Sequence, residues 1–231
     1  MKKFLLLSIS LNLAFFSFSQ FSIGGGASLT RFMNTTGQNM GNLSLPGINL
    51  HMEIPKSGDV TLYGRAHFLF PKANDQIINS YVTGINPNTN PYILAVNSQI
   101  KTTYFLFEGG NRYYIGNDYD NGFSGYGGSG IVFGTAKIKK DYDKYDATGQ
   151  VEWAGTYQTD PTEVREGKIF TIGGFLQGGV KYTFPAVGTL FGDITGYYLL
   201  FANGSNSIAS QTNYFSPLYF NFTIGFKKDL Y

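Results

Sequence analysis

What most constrains this chain is the order of its joins. After a short apolar N-terminus, segments rich in Phe, Tyr and Gly follow one another, each alternating between apolar and polar residues. The joins between them run long, short, long, short. Long ones fall over 34–46, 73–99, 144–167 and 205–217, short ones over 56–59, 116–122 and 186–189. Eight strand candidates result. In an up-and-down barrel every second join lies at the same end, so the long joins would share one rim.

A strand turns its side chains alternately to its two faces. In 47–55, Ile48, Leu50, Met52 and Ile54 oppose Asn49, His51 and Glu53. In 60–70, Val60, Leu62, Ala66, Phe68 and Phe70 oppose Thr61, Tyr63, Arg65 and His67. Segment 102–115 sets Phe105, Phe107, Tyr113 and Ile115 against Tyr104, Glu108, Arg112 and Tyr114, and 168–184 sets Phe170, Leu176 and Val180 against Gln177 and Lys181. Segment 190–202 opposes Ile194, Tyr198 and Leu200 to Asp193, Thr195 and Tyr197. The last segment opposes Leu218, Phe220, Phe222, Ile224 and Phe226 to Tyr219, Asn221 and Thr223. Segments 21–33 and 123–140 alternate less clearly because both are Gly-rich. Gly weakens a strand but permits sharp coiling, which a small barrel needs. Pro55, Pro71, Pro185 and Pro217 are expected at strand ends, where a missing N–H donor does least harm.

Composition narrows the class. Charged residues are 14% of the chain and aromatics 17%. Beyond the N-terminus no run approaches the roughly 20 apolar residues of a spanning helix. The formal charge of +2 comes from Lys2 and Lys3, so the rest is neutral and lacks the basic excess of a nucleic-acid reader. No Cys is present, which removes disulfides, thiolate metal sites and a lipid-anchored Cys together. Met1-Lys2-Lys3, the apolar stretch Phe4 to Phe18 and the small residues of Ser17-Phe18-Ser19 predict a signal peptide over 1–19, cleaved before Gln20. The barrel would then be 20–231. A secreted β-sandwich would alternate too. The leader, the aromatics at strand ends and the regular joins favour a barrel whose apolar face meets lipid.

With these features the chain resembles the small eight-stranded outer-membrane barrels, the OmpA/OmpX/OmpW-like group. The resemblance rests on strand count, loop asymmetry and a closing strand in which Phe220, Phe222, Ile224 and Phe226 alternate before a terminal Tyr231. Lys227-Lys228-Asp229-Leu230 departs from the usual apolar ending. The leader is similar to those of Bacteroidetes-type bacteria. The resemblance implies an all-β, eight-stranded antiparallel up-and-down transmembrane β-barrel in the cell outer membrane. Its surroundings would be outer-membrane lipid and lipopolysaccharide, with the barrel-assembly machinery reading the closing strand.

An eight-stranded barrel has an interior just wide enough for side chains to fill. The polar face would place His51, Glu53, Arg65, His67, Glu108, Arg112, Lys181 and Asp193 in the lumen. Buried charges need partners, and three acids with three permanent bases allow a salt-bridged plug. His51, Glu53 and His67 also permit a metal or acid–base cluster, but no spacing motif supports one. Gly24-Gly25-Gly26 lacks the Lys and helix of a phosphate loop, and Asp141 to Asp146 lacks the Gly and distal Glu of a calcium loop. No cofactor is expected, and no enzyme. The long joins offer Tyr81, Tyr92, Tyr145, Trp153 and Tyr157, either as contact residues for an envelope partner or as packing between loops. The leading expectation is a structural, adhesive or accessory-subunit role. A narrow channel or carrier for small hydrophobic molecules is the first alternative, and a lipid-modifying enzyme the second.

Overall fold

The computed structural model describes residues 21–33, 44–84, 92–116, 122–149, 152–159, 166–204 and 217–230. The expected leader and Tyr231 lie outside them. Among the described residues are strands β1 (Phe21–Phe32), β2 (Ser44–Ser57), β3 (Val60–Gly84), β4 (Tyr92–Ile115), β5 (Gly122–Asp146), β6 (Tyr157–Thr159), β7 (Glu166–Phe184), β8 (Gly188–Gly204) and β9 (Leu218–Leu230), and the single-turn helix α1 (Trp153–Thr156). Eight of the strands form a closed antiparallel ring, each bonded to its neighbours in chain order, with β5 passing directly to β7. Closure runs between β1 and β9, from Phe21 opposite Leu230 to Phe32 opposite Tyr219. The three-residue β6 stands outside the ring and pairs with the end of β3, Val82 opposite Thr159.

The alternation read from the sequence sets the two surfaces. Outside, Ile48, Leu50, Phe68, Phe107, Leu176, Ile194, Leu200 and Ile224 are exposed, Leu200 by 76% and Leu176 by 73%. Large apolar side chains this bare, all round a ring, mark a surface made for lipid. Inside, the polar set is buried. The Gly-rich segments form full strands, β1 and β5. Their inward glycines let neighbouring backbones approach closely. A Cβ on Gly26 would run into the Ile224 carbonyl of β9, and one on Gly130 into the Gly109 carbonyl of β4.

Three expectations need correction. The join 73–99 is mostly strand: β3 runs on to Gly84 and β4 begins at Tyr92. Pro71 therefore sits inside β3, at a bulge where the pairing slips between Leu69 and Lys72. A bulge leaves the ladder locally unpaired and tolerates a residue without an N–H. The join 144–167 likewise contains the end of β5, α1 and β6. As a result β3, β4 and β5 run for 25, 24 and 25 residues, while β1, β2 and β9 run for 12, 14 and 13. The wall rises as a sheet on one side of the long-join rim. A small second core of Val82, Val96 and Trp153, with Leu94 and Tyr142 against it, steadies that sheet.

Within the ring the lumen has two parts. Toward the short turns it is filled by charged and polar side chains. Toward the long joins it is filled by Phe32, Leu45, Leu69, Ile100, Tyr104, Leu106, Val132, Ile138 and Leu199. Rings stack within this apolar part: Tyr197 on Tyr219 at 4.5 Å, and Phe32 on Tyr104 at 4.6 Å.

Candidate functional site

The charged part of the lumen is built by register. β2 sets His51 and Glu53 opposite Arg65 and Tyr63 of β3, and β3 sets Arg65 opposite Glu108 of β4. Arg112 follows on the same face of β4. From the other side of the ring β7 supplies Gln177 and Lys181, β8 supplies Asp193, and β9 supplies Thr223 and Lys227. Residues far apart in sequence thus meet at one level of the barrel.

Three carboxylates organise the cluster. Asp193 is clamped by Arg65 through two parallel contacts, Nη1 to Oδ1 at 3.0 Å and Nη2 to Oδ2 at 2.6 Å. Such forked pairing is the strong geometry for Arg and carboxylate. Tyr126 donates to Asp193 Oδ2 at 2.8 Å, and Arg112 Nη2 lies 3.4 Å from the same oxygen. Glu53 accepts from Lys227 Nζ at 2.6 Å, from Arg112 Nη1 at 3.3 Å and from the hydroxyls of Thr61 and Tyr114. Glu108 accepts from the Tyr197 hydroxyl and has Arg65 Nη1 3.3 Å from its other oxygen. Arg112 is further held by Gln177, Nε to Oε1 at 2.7 Å, and its guanidinium lies 4.1 Å from the Tyr63 ring centre. Gln177 passes the chain of bonds on to Thr195. Lys181 donates to Thr183 and sits over the Tyr114 ring.

The two histidines serve different carboxylates. His51 Nδ1 accepts from Arg65 Nε at 3.4 Å, while its Nε2 faces Glu53 at 3.1 Å. His67 Nε2 faces Glu108 at 3.7 Å, and its Nδ1 lies 3.2 Å from the Asn221 amide. The ring brings guanidinium to carboxylate rather than imidazole to imidazole. Among the described residues, no group of three or more His, Asp or Glu is arranged to hold a metal ion.

All eight residues placed in the lumen from the sequence are buried there: His51, Glu53, Arg65, His67, Glu108, Arg112, Lys181 and Asp193. The sequence reading missed Lys227, a fourth lumenal cation. Its signal was present, since it keeps the parity of Tyr219, Asn221 and Thr223, but it stood in a stretch read as an irregular ending. Tyr126, hidden among the glycines of β5, was missed too. The loop candidates separate. Tyr145 is exposed on β5. Trp153 is not an exposed contact residue: only 4% of it is exposed, and its Nε1 donates to the Asp143 carbonyl at 2.6 Å. A sole Trp packed under a sheet steadies that sheet rather than gripping a partner. Tyr81 and Tyr92 are strand residues of β3 and β4, and Tyr157 opens β6. Their side chains lie outside what the structure describes.

No family model matches the chain, and no curated protein matches it. Among solved structures it is similar to Ail, the attachment invasion locus protein of Yersinia pestis, at 12% identity over 90% of this chain and 98% of that one, with a TM-score of 0.46. It is similar to Neisserial surface protein A at 10% identity, over 90% and 95%, with a TM-score of 0.46. It is also similar to outer membrane protein OprG of Pseudomonas aeruginosa at 14% identity, over 92% and 96%, with a TM-score of 0.44. The closed antiparallel ring of eight strands and its apolar outer belt are those of a small outer-membrane barrel, and the outer membrane is where such a wall resides.

Proposed function

We propose that this barrel serves the outer membrane as a structural or adhesive element, or as the accessory subunit of a larger envelope assembly. It acts through its wall and its tall outer sheet rather than through its lumen. The observation that carries the reading is the closure of the lumen. Glu53, Arg65, His67, Glu108, Tyr197, Tyr219 and Leu45 all have 0% exposure although they line the inside of a ring. A channel needs water beside such side chains. In barrels of this class the short turns face the periplasm and the long joins face outward, so the sheet formed by the ends of β3, β4 and β5 stands at the outer surface. It offers Ile77 and Ile93, 65% and 57% exposed, among polar neighbours.

The reading is tested by replacing 73–99 with a short turn and comparing the shortened chain with the full one. The expected result is that both insert into the outer membrane and shift in gel mobility on heating. Only the full chain should support adhesion or co-purify a stoichiometric protein from native membranes in detergent. A shortened chain that adheres and co-purifies as the full one does would contradict the proposal.

A further inference from the structure

The barrel closes on a strand that specifies its own register poorly. β1 carries Gly24, Gly25 and Gly26 in a row within its pairing to β9. Its outward residues there are Gly25 and Ala27, opposite Phe226 and Ile224. A slip of two residues keeps every side chain on its own face. The apolar period that separates the two surfaces therefore does not tell one even register from the next, and Gly-rich strands are prone to such slips. Yet the offset at the seam sets the tilt and width of the whole ring, and the meeting of Arg65 with Asp193 depends on it.

Inside the ring, an ion pair passes over β1 from one neighbour to the other. Lys227 of β9 stands opposite Gly24, and Gly24 stands opposite His51 of β2. Lys227 Nζ reaches past that glycine to Glu53, the next inward residue of β2, and meets its Oε2 at 2.6 Å. The glycine lets it pass: a Cβ on Gly24 would lie 2.6 Å from the Cβ of Lys227. Both charged side chains are buried. Weaker bonds tie β9 to β3 in the same way, between Asn221 and His67 at 3.2 Å and from Arg65 to Thr223 at 3.4 Å. At the short-turn end of the seam itself, Ser22 donates to Asp229 at 2.6 Å. Sliding β1 and β2 together by two residues against β9 would carry Glu53 about 7 Å from its place beside Lys227. The two charges would then be parted in a dry interior.

We propose that the ion pair of Lys227 with Glu53 is the register lock of the barrel seam. A buried polar contact that fixes register at a cost in stability is the best-attested use of such groups. The lock accounts for a lysine in a closing strand that otherwise alternates Phe220, Phe222, Ile224 and Phe226 on its outer face. It also accounts for a glycine, rather than a larger residue, on the strand between.

The chain has no Cys, so paired cysteines report register directly. Ala27→Cys with Ile224→Cys marks the observed register. Ala27→Cys with Phe222→Cys, or with Phe226→Cys, marks a slip of two residues in one direction or the other. Cα atoms more than about 7 Å apart are not bridged, so each pair links only in its own register. Each is refolded from urea into detergent, oxidised, and scored on a denaturing gel, where joined strands change the mobility of the unfolded chain. With Lys227 and Glu53 in place, only the observed pair should link. Lys227→Met with Glu53→Gln removes both charges and strands neither. A slip no longer parts a buried ion pair, so the ratio of slipped to observed product should rise roughly a hundred-fold. Lys227→Met alone, with Glu53 still beside Arg112, is the second variant and should slip as well. Lys227→Arg should link as the unmodified chain does. Leu45→Ala, which loosens the lumen without touching the pair, should leave the ratio unchanged. Linking in the observed register alone by both Met variants overturns the proposal, as does an equal rise with Leu45→Ala. Slipped product from the chain that keeps Lys227 and Glu53 overturns it too, and that comparison stands even where a Met variant does not fold.

Discussion

The lumen toward the short turns is closed by charges held in pairs, and the lumen toward the long joins by stacked rings and aliphatic side chains. Both are buried inside one ring, yet they answer to different physics. In the charged half, Arg65 is held by Asp193 and Glu108 at once, and Glu53 by Lys227 and Arg112. Removal of one partner strands another in a dry interior. In the apolar half, a truncated side chain leaves only a void whose neighbours relax part-way into it. The charged half should therefore behave as one coupled unit, and the apolar half as a sum of separate contacts.

The largest effect is expected from Arg65→Leu. It leaves Asp193 and Glu108 without their main cation, a loss of about 3–5 kcal/mol by analogy with broken buried pairs. Urea unfolding of the refolded barrel in detergent, read by gel mobility, measures it. The double change Arg65→Leu with Asp193→Leu should recover a large part of that loss, which is the mark of coupling. Independent, additive losses would break the comparison.

Leu45→Ala, in the apolar half and wholly buried, should follow at about 3 kcal/mol. Combined with Arg65→Leu it should add without coupling. A coupling above about 1 kcal/mol would mean that the two halves are one unit.

Paired phenols sharpen the contrast. Tyr126→Phe removes a bond to the Asp193 carboxylate and should destabilise by about 2 kcal/mol. Tyr219→Phe removes a buried hydroxyl with no hydrogen-bond partner among the described residues. It should change stability by less than about 0.5 kcal/mol in either direction. Equal effects from the two would remove the distinction between the halves. The smallest expected effect is that of Asn49→Leu. The Asn49 amide is buried in the polar half, also with no hydrogen-bond partner among the described residues, and the change should be neutral or mildly stabilising in the same assay.

The ring and its two faces were legible because lipid demands a strict period of two. His51, Glu53, Arg65 and Asp193 could be placed inside from parity alone. Pairing across the ring could not be read. That Arg65 meets Asp193, 128 residues away, depends on how far each strand is offset around the closure. The rule failed where its cause stopped acting. Beyond the bulge at Pro71 the outward face of β3 passes from Phe68 and Phe70 to Ala73, Asp75 and Ile77. Outside the lipid no apolar stripe is required, so 73–84 read as a join. Trp153 misled for a related reason. A single aromatic in a polar stretch has no periodic companions to betray its burial, and only its neighbours Val82 and Val96 reveal it.

Single-channel recording in planar bilayers tests the closed lumen most directly. The purified full chain, inserted and shown to be folded by its heat-dependent gel mobility, is expected to give a flat baseline with no unit steps. Repeatable conductance steps from the unmodified chain would mean that water passes Arg65 and Tyr197, and the account of a barrel sealed by its own side chains would be wrong.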